Sequence, residues 1–241
     1  SAIESHDKIL YNALNMSYMW DEFNIKTFAA ETIVYRDGLY CADLSTLPDG
    51  TIDSHYDLPV HIIYIGEIAG KCRLNIDISV ANQPVFLDVR VKNKKPAFLN
   101  IFIKNTGKNS ELRGHVLLEN ESKLTFDCIA THEQENTGIL VQTNIIAGEK
   151  SISKISGSAL IKKQCPGCVS DIAFSAMTAA GARVEFVPAQ YISSVPTSAG
   201  HSAALYRPTA PQIQFLREGG LDAAEVTNAM RDAFENNFTL F

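Results

Sequence analysis

The chain has 241 residues, 46% hydrophobic and 20% charged, with a formal net charge of −6; this marks a globular chain able to bury one sizeable core in one main domain. With a pI near 5.5 and no basic block beyond Lys94-Lys95 and Lys162-Lys163, neither nucleic acid nor an anionic membrane is expected as partner. The five cysteines (Cys41, Cys72, Cys128, Cys165, Cys168) are odd in number and scattered except for the last pair, which excludes a secreted disulfide framework and points to the reducing cytoplasm.

Glu4, Asp7 and Lys8 charge the first residues, and no apolar run approaches the ~20 residues of a membrane span, so neither export nor membrane insertion is expected. The stretch "SHDKILYNALNMSYM" places Ile9, Leu10, Ala13 and Leu14 on one helical face, with Ser5 or Asp7 as cap. Residues 1–31 therefore read as an N-terminal helical segment. From Thr32 the pattern becomes "TIVYRDGLYCADL", in which Asp37-Gly38 joins two apolar runs as a hairpin turn, and a small β-region ends at Pro48-Asp49-Gly50.

The centre carries a repeat. "PVFLDVRVKN" (84–93) and "PAFLNIFIKN" (96–105) match position by position at a step of twelve. Leu87, Val89 and Val91, then Leu99, Ile101 and Ile103, share one face, while Asp88/Asn100 and Lys92/Lys104 take the other. Comparable strands are expected at Cys72–Val80, Leu112–Leu118, Leu124–Ala130, Ile139–Ile146, Ile152–Ile155 and Ala159–Lys162, with turns too short for crossover helices. Asn93, Asn105 and Asn120 each close a strand, and asparagine tolerates the left-handed backbone of a corner. Two strands and about 24 residues per coil predict a parallel β-helix over 32–208. A β-sandwich is the alternative, since short strands at close spacing suit it too. An open stack needs protection at its ends, and the terminal helical segments are natural caps.

The tail (209–241) turns helical. Ile213 and Leu216 form a short stripe ended by Gly219-Gly220. Asp222 and Glu225 then have capping-box spacing, followed by Val226, Ala229, Met230, Ala233 and Phe234 on one face. That stripe docks on the β-stack or on a partner.

No GxxxxGK[ST] loop, G-x-S-x-G elbow or H-E-x-x-H pair is present, so the ordinary nucleotide, serine-hydrolase and zinc-protease signatures are lacking. Cys165-Pro166-Gly167-Cys168 has the spacing of a metal or redox pair, but Pro-Gly is also what a tight corner between strands selects. Cys128 alternates with Leu124 and Phe126 and reads as a small core residue, as do Cys41 and Cys72. His201 sits among Ser198, Ala199, Gly200, Ser202 and Ala203, which leaves its imidazole accessible; it is either structural or a ligand for iron or zinc. The other five histidines have no such setting.

These residues carry a resemblance. Gly200-His201-Ser202-Ala203, then Gln214-Phe215-Leu216-Arg217-Glu218-Gly219-Gly220-Leu221, then the helix from Asp222 to Phe234, resemble the C-terminal region of the SufB/SufD family of iron–sulfur cluster assembly proteins. That family has a histidine in a context such as S-H-G-A-T, a stretch like "QLFYLxSRGL" and an acidic helix start. "DGLYCADLSTLPDG" and "VFLDVRVKN" add support, so the likeness runs from about Thr32 onward.

The resemblance implies a right-handed parallel β-helix with short helical segments at both ends, acting as a non-catalytic scaffold. Its implied partners are a SufC-like ABC-type ATPase and a second SufB/SufD-like subunit or a copy of itself. Its implied cargo is iron or an iron–sulfur cluster, held transiently at the joint between β-helices. By that likeness His201 is the iron or cluster contact, and Phe215, Leu216, Val226, Met230 and Phe234 form the ATPase-docking region. The SufB-type glutamate after the histidine is Ser202 here, and the SufB-type cysteine has no counterpart around Gly181-Ala182, which resembles SufD more. Cys165 and Cys168 then offer substitute thiolates. The family's long N-terminal helical region is mostly lacking, which suggests a minimal homodimeric version. A β-helix carbohydrate-active enzyme, which needs clustered carboxylates along one face, and a purely structural solenoid are the competing expectations.

Overall fold

Alternating apolar and polar side chains commit most of this chain to strands, because a period of two gives each strand one face for a core and one for water. The computed structural model describes residues 33–36, 38–46 and 49–236. The expected N-terminal helix, Asp37, the Pro48 turn and residues 237–241 lie outside the described residues. The strands are β1 (Ile33–Arg36), β2 (Leu39–Asp43), β3 (Thr51–Tyr56), β4 (His61–Glu67), β5 (Gly70–Ile78), β6 (Pro84–Asn93) and β7 (Ala97–Asn105). They continue as β8 (Glu111–Asn120), β9 (Lys123–His132), β10 (Gly138–Ala147), β11 (Ile152–Ile161), β12 (Val169–Thr178), β13 (Arg183–Ile192) and β14 (Ser198–Tyr206). Helices α1 (Ala210–Glu218) and α2 (Ala223–Asn236) follow.

β1 turns back on β2 as the expected antiparallel hairpin, with Gly38 at φ +79°. Every other pairing among the described residues is parallel, and the strands sort by parity into two walls, β1-β2-β4-β6-β8-β10-β12-β14 and β13-β11-β9-β7-β5-β3. The chain is a parallel β-solenoid with two strands per coil. A sandwich is excluded because its ladders are antiparallel.

The coil is longer than the expected 24 residues. Asn93 pairs with Asn120, 27 residues on, and Gly138 with Val169, 31 residues on, whereas Leu39 pairs with His61 after 22. The two matching segments at a step of twelve are β6 and β7, which lie in opposite walls. Their step crosses only the short corner, residues 94–96; the corner from β7 to β8, residues 106–110, is longer.

Both corners are built from polar side chains that the coil stacks in register. Asn93 Nδ2 donates to Asn120 Oδ1 (2.9 Å), and Asn120 Nδ2 donates to Ser153 Oγ (2.8 Å). At the second corner Asn82, Asn109 and Asn136 all adopt φ near +56°. Asn136 Nδ2 donates to Asn109 Oδ1 (3.1 Å), and Asn109 Nδ2 to Asn82 Oδ1 (2.9 Å). Between the walls Leu87, Val89, Leu99, Ile101, Val116, Phe126, Cys128, Ile155 and Phe174 form one continuous buried core.

The expected break between Ile155 and Ala159 does not occur. β11 runs through Gly157, where a Cβ would lie 2.5 Å from Phe174 Cζ, so the glycine makes room for that ring. The Asp222–Glu225 capping box forms as read, with Asp222 Oδ1 accepting from Glu225 N (2.9 Å) and Glu225 Oε2 from Asp222 N (2.8 Å). The C-terminal helices do not cap the stack. Instead α2 lies on the outer face of the eight-stranded wall, through the Phe234–Tyr206 ring stack (6.3 Å) and the Arg231–Glu119 ion pair.

Candidate functional site

The last coil is unfinished. β13 is hydrogen-bonded only to β11 and β14 only to β12, so each presents a free ladder edge. The register sets His201, Ala203 and Leu205 in the interior columns of Ile172, Phe174 and Ala176. With no coil beyond, these core-type positions are open: His201 is exposed and Leu205 is 60% exposed. On the facing strand Val184 and Phe186 are only partly buried, although Phe186 stacks on Phe174 at 5.8 Å. The accessibility of His201 thus arises from its place at the mouth of the solenoid, in addition to its small neighbours.

The Cys165–Cys168 segment is a corner of the same coil. Gly167 takes φ +72° in the column of Asn136, and a Cβ there would lie 2.0 Å from Asn136 Oδ1. Both thiols are buried and free. Cys165 Sγ donates to the His132 carbonyl (3.3 Å) and Cys168 Sγ to the Gln134 carbonyl (3.2 Å). Burial pushes the Cys165 thiol above its ordinary pKa, which favours the protonated form. Ala199 of β14 packs against this pair and Ile161, which sets the corner beside the His201 strand. His201, Cys165 and Cys168 are nevertheless not brought together as one ligand set, and among the described residues no three His, Cys, Asp or Glu side chains form a group able to hold a metal.

The tail residues divide. Val226 and Phe234 are each 5% exposed, turned inward on α2, with Met230 half-buried beside them. Phe215 on α1 is 75% exposed and Leu216 half-buried; α1 buries no residue.

A further polar group was not anticipated by the sequence reading. On the outer face of the eight-stranded wall Asp88 lies between two histidines: His61 Nε2 is 2.7 Å from Asp88 Oδ2, and His115 Nδ1 is 3.6 Å from Asp88 Oδ1. Burial alone would raise the Asp88 pKa, but hydrogen bonds from His115 and His61 and their charge hold it well below the usual carboxylate range. His115 Nε2 also meets Asn144 Nδ2 at 3.2 Å. The signal was present, since residues 61, 88 and 115 are spaced by 27, the length of a central coil.

The site and fold define a parallel β-solenoid with one bare end and a helical tail laid along its side. No protein-family model matches the chain, and no curated protein matches it. No described helix is long and apolar enough to cross a membrane.

Proposed function

We propose that this chain is a cytoplasmic, non-catalytic scaffold subunit of a SUF-type iron–sulfur cluster assembly complex. In that role it pairs with a second β-helix subunit, SufB/SufD-like or a copy of itself, and docks a SufC-like ABC-type ATPase. The observation that carries the reading is the bare end, where two free strand edges and uncovered core columns surround an accessible His201. Another solenoid meeting that end extends the ladders and covers the apolar columns in one step.

Iron or a nascent cluster is then cargo at the joint. His201 supplies a neutral imidazole, which suits iron, and the second subunit supplies the remaining ligands. Cys165 and Cys168 join only if their corner opens, because both are buried. Phe215 and Leu216 on the uncovered α1 offer the ATPase its first contact; Val226, Met230 and Phe234 hold α2 in place behind it.

Anaerobic purification from the native cell tests this, with mass spectrometry and iron and acid-labile sulfide analysis on the same eluate. Recovery of a SufC-like ATPase supports the scaffold; a monomer free of ATPase, iron and sulfide sinks it. A second reading, a β-helix carbohydrate-active enzyme, draws on Asp88 between His61 and His115. Sugar release from a polysaccharide panel, lost in Asp88→Asn, would favour it instead.

A further inference from the structure

The outer face of β6 carries Asp88, Arg90 and Lys92 in succession, and their counter-charges are unequally shared. Asp88 is engaged by His61 and His115. Lys92 Nζ pairs with Glu121 (2.6 Å) and lies 3.9 Å from Glu119. Arg231 of α2 pairs with Glu119 and with Glu235 (2.8 Å). Arg90 is left over: its Nε is buried with no hydrogen-bond partner, and in register it stands between Ile65 and Leu117. A guanidinium remains charged at any physiological pH, and a buried donor without an acceptor is costly.

Arg90 lines a cavity of about 440 Å³ between the sheet and the end of α2. Its walls include Ile65, Val91 and Leu117, with Asp43, Glu119 and Glu235 on the rim alongside Lys92 and Arg231. We infer that this cavity binds a small organic anion, whose carboxylate or phosphate group seats on the Arg90 guanidinium. The planar fork of Arg matches either oxyanion. The apolar walls take a short hydrocarbon portion, and the three carboxylates repel a ligand with several negative charges. Because Arg231 and Glu235 close one side, an occupied cavity tightens α2 against the sheet. The inference is independent of the scaffold reading.

The test uses the full chain with sodium phosphate and sodium butyrate as probes, each compared with sodium chloride at equal ionic strength. Calorimetric titration should give saturable binding of at least one, and the one that binds identifies the group. Arg90→Gln should weaken that binding by about tenfold or more. Hydrogen exchange on the wild-type chain should slow within residues 43–45, 65–67 and 223–236 on binding. This readout needs no variant, so it decides the matter if Arg90→Gln fails to fold. No saturable response beyond chloride, equal binding by Arg90→Gln, or protection confined to other segments would overturn the site.

Discussion

His132 takes the place in the second corner that Asn105 holds one coil earlier, and the exchange makes stability depend on pH. Its Nδ1 meets Thr137 Oγ1 at 2.8 Å, while Nε2 is buried with no partner. Burial lowers the pKa from 6.5 to about 4, so the unfolded chain binds the proton more readily than the folded one. The folded state is therefore favoured in full above pH about 6.5, and this contribution is lost as pH falls toward about 4. It amounts to roughly 3 kcal/mol once both states are protonated. Asp88 adds a loss of the same sign in a lower window, below the ordinary carboxylate pKa of 3.8. Urea unfolding at pH 7, 5.5 and 4.5 should show the His132 slope, and His132→Asn should flatten it; an unchanged slope in the variant would assign the titration elsewhere. His201, by contrast, is exposed at the mouth, so His201→Ala should shift stability by no more than about 0.5 kcal/mol while reducing iron retained on anaerobic loading. The residue scale was only half legible. Small neighbours announced an accessible His201, but the His61–Asp88–His115 group required the 27-residue coil, and the twelve-residue repeat reports one corner alone.

At the scale of the element, strands that alternate cleanly between apolar and polar residues were legible and the others were not. β6, β7 and β9 alternate throughout, whereas β12 buries Ser170 and Ser175 and β14 lacks any apolar stripe until Leu205. β11 was misread as two strands because Ser156-Gly157-Ser158 breaks the pattern, yet the glycine is there to admit Phe174. Gly157→Ala should cost about 1–3 kcal/mol through overpacking, measured by thermal or urea unfolding. Phe174→Leu should recover part of that loss in the double variant; simple additivity of the two would show that the ring is not what the new methyl meets. The helical tail sorts in the same way. Phe234 stacks on Tyr206 and is 5% exposed, so Phe234→Asp should release α2, seen as faster hydrogen exchange over 223–236, before it reports on any partner. Phe215, 75% exposed, is the cleaner probe. Phe215→Asp should leave the melting temperature unchanged and weaken capture of a SufC-like ATPase, and equal capture would remove α1 from the docking surface.

For the whole molecule the asymmetry of the two ends decides the behaviour. The hairpin β1–β2 begins the eight-stranded wall, while at the far end β14 stands with a bare edge, and neither described helix covers it. Ser198 N donates to the Cys168 carbonyl (2.9 Å), and in a parallel ladder alternate residues bond to the same side. The N–H groups of Ala199, His201, Ala203 and Leu205 therefore face the free edge. A proline there removes an outward donor without breaking a bond to β12, which is the position a strand tolerates it best. If two bare ends join, Ala203→Pro should abolish the dimer while the far-ultraviolet spectrum and unfolding midpoint stay close to wild type. Light scattering across a concentration series gives the answer: a wild-type dimer that becomes a folded monomer in Ala203→Pro puts the joint at β14, and a dimer that survives the substitution puts it elsewhere.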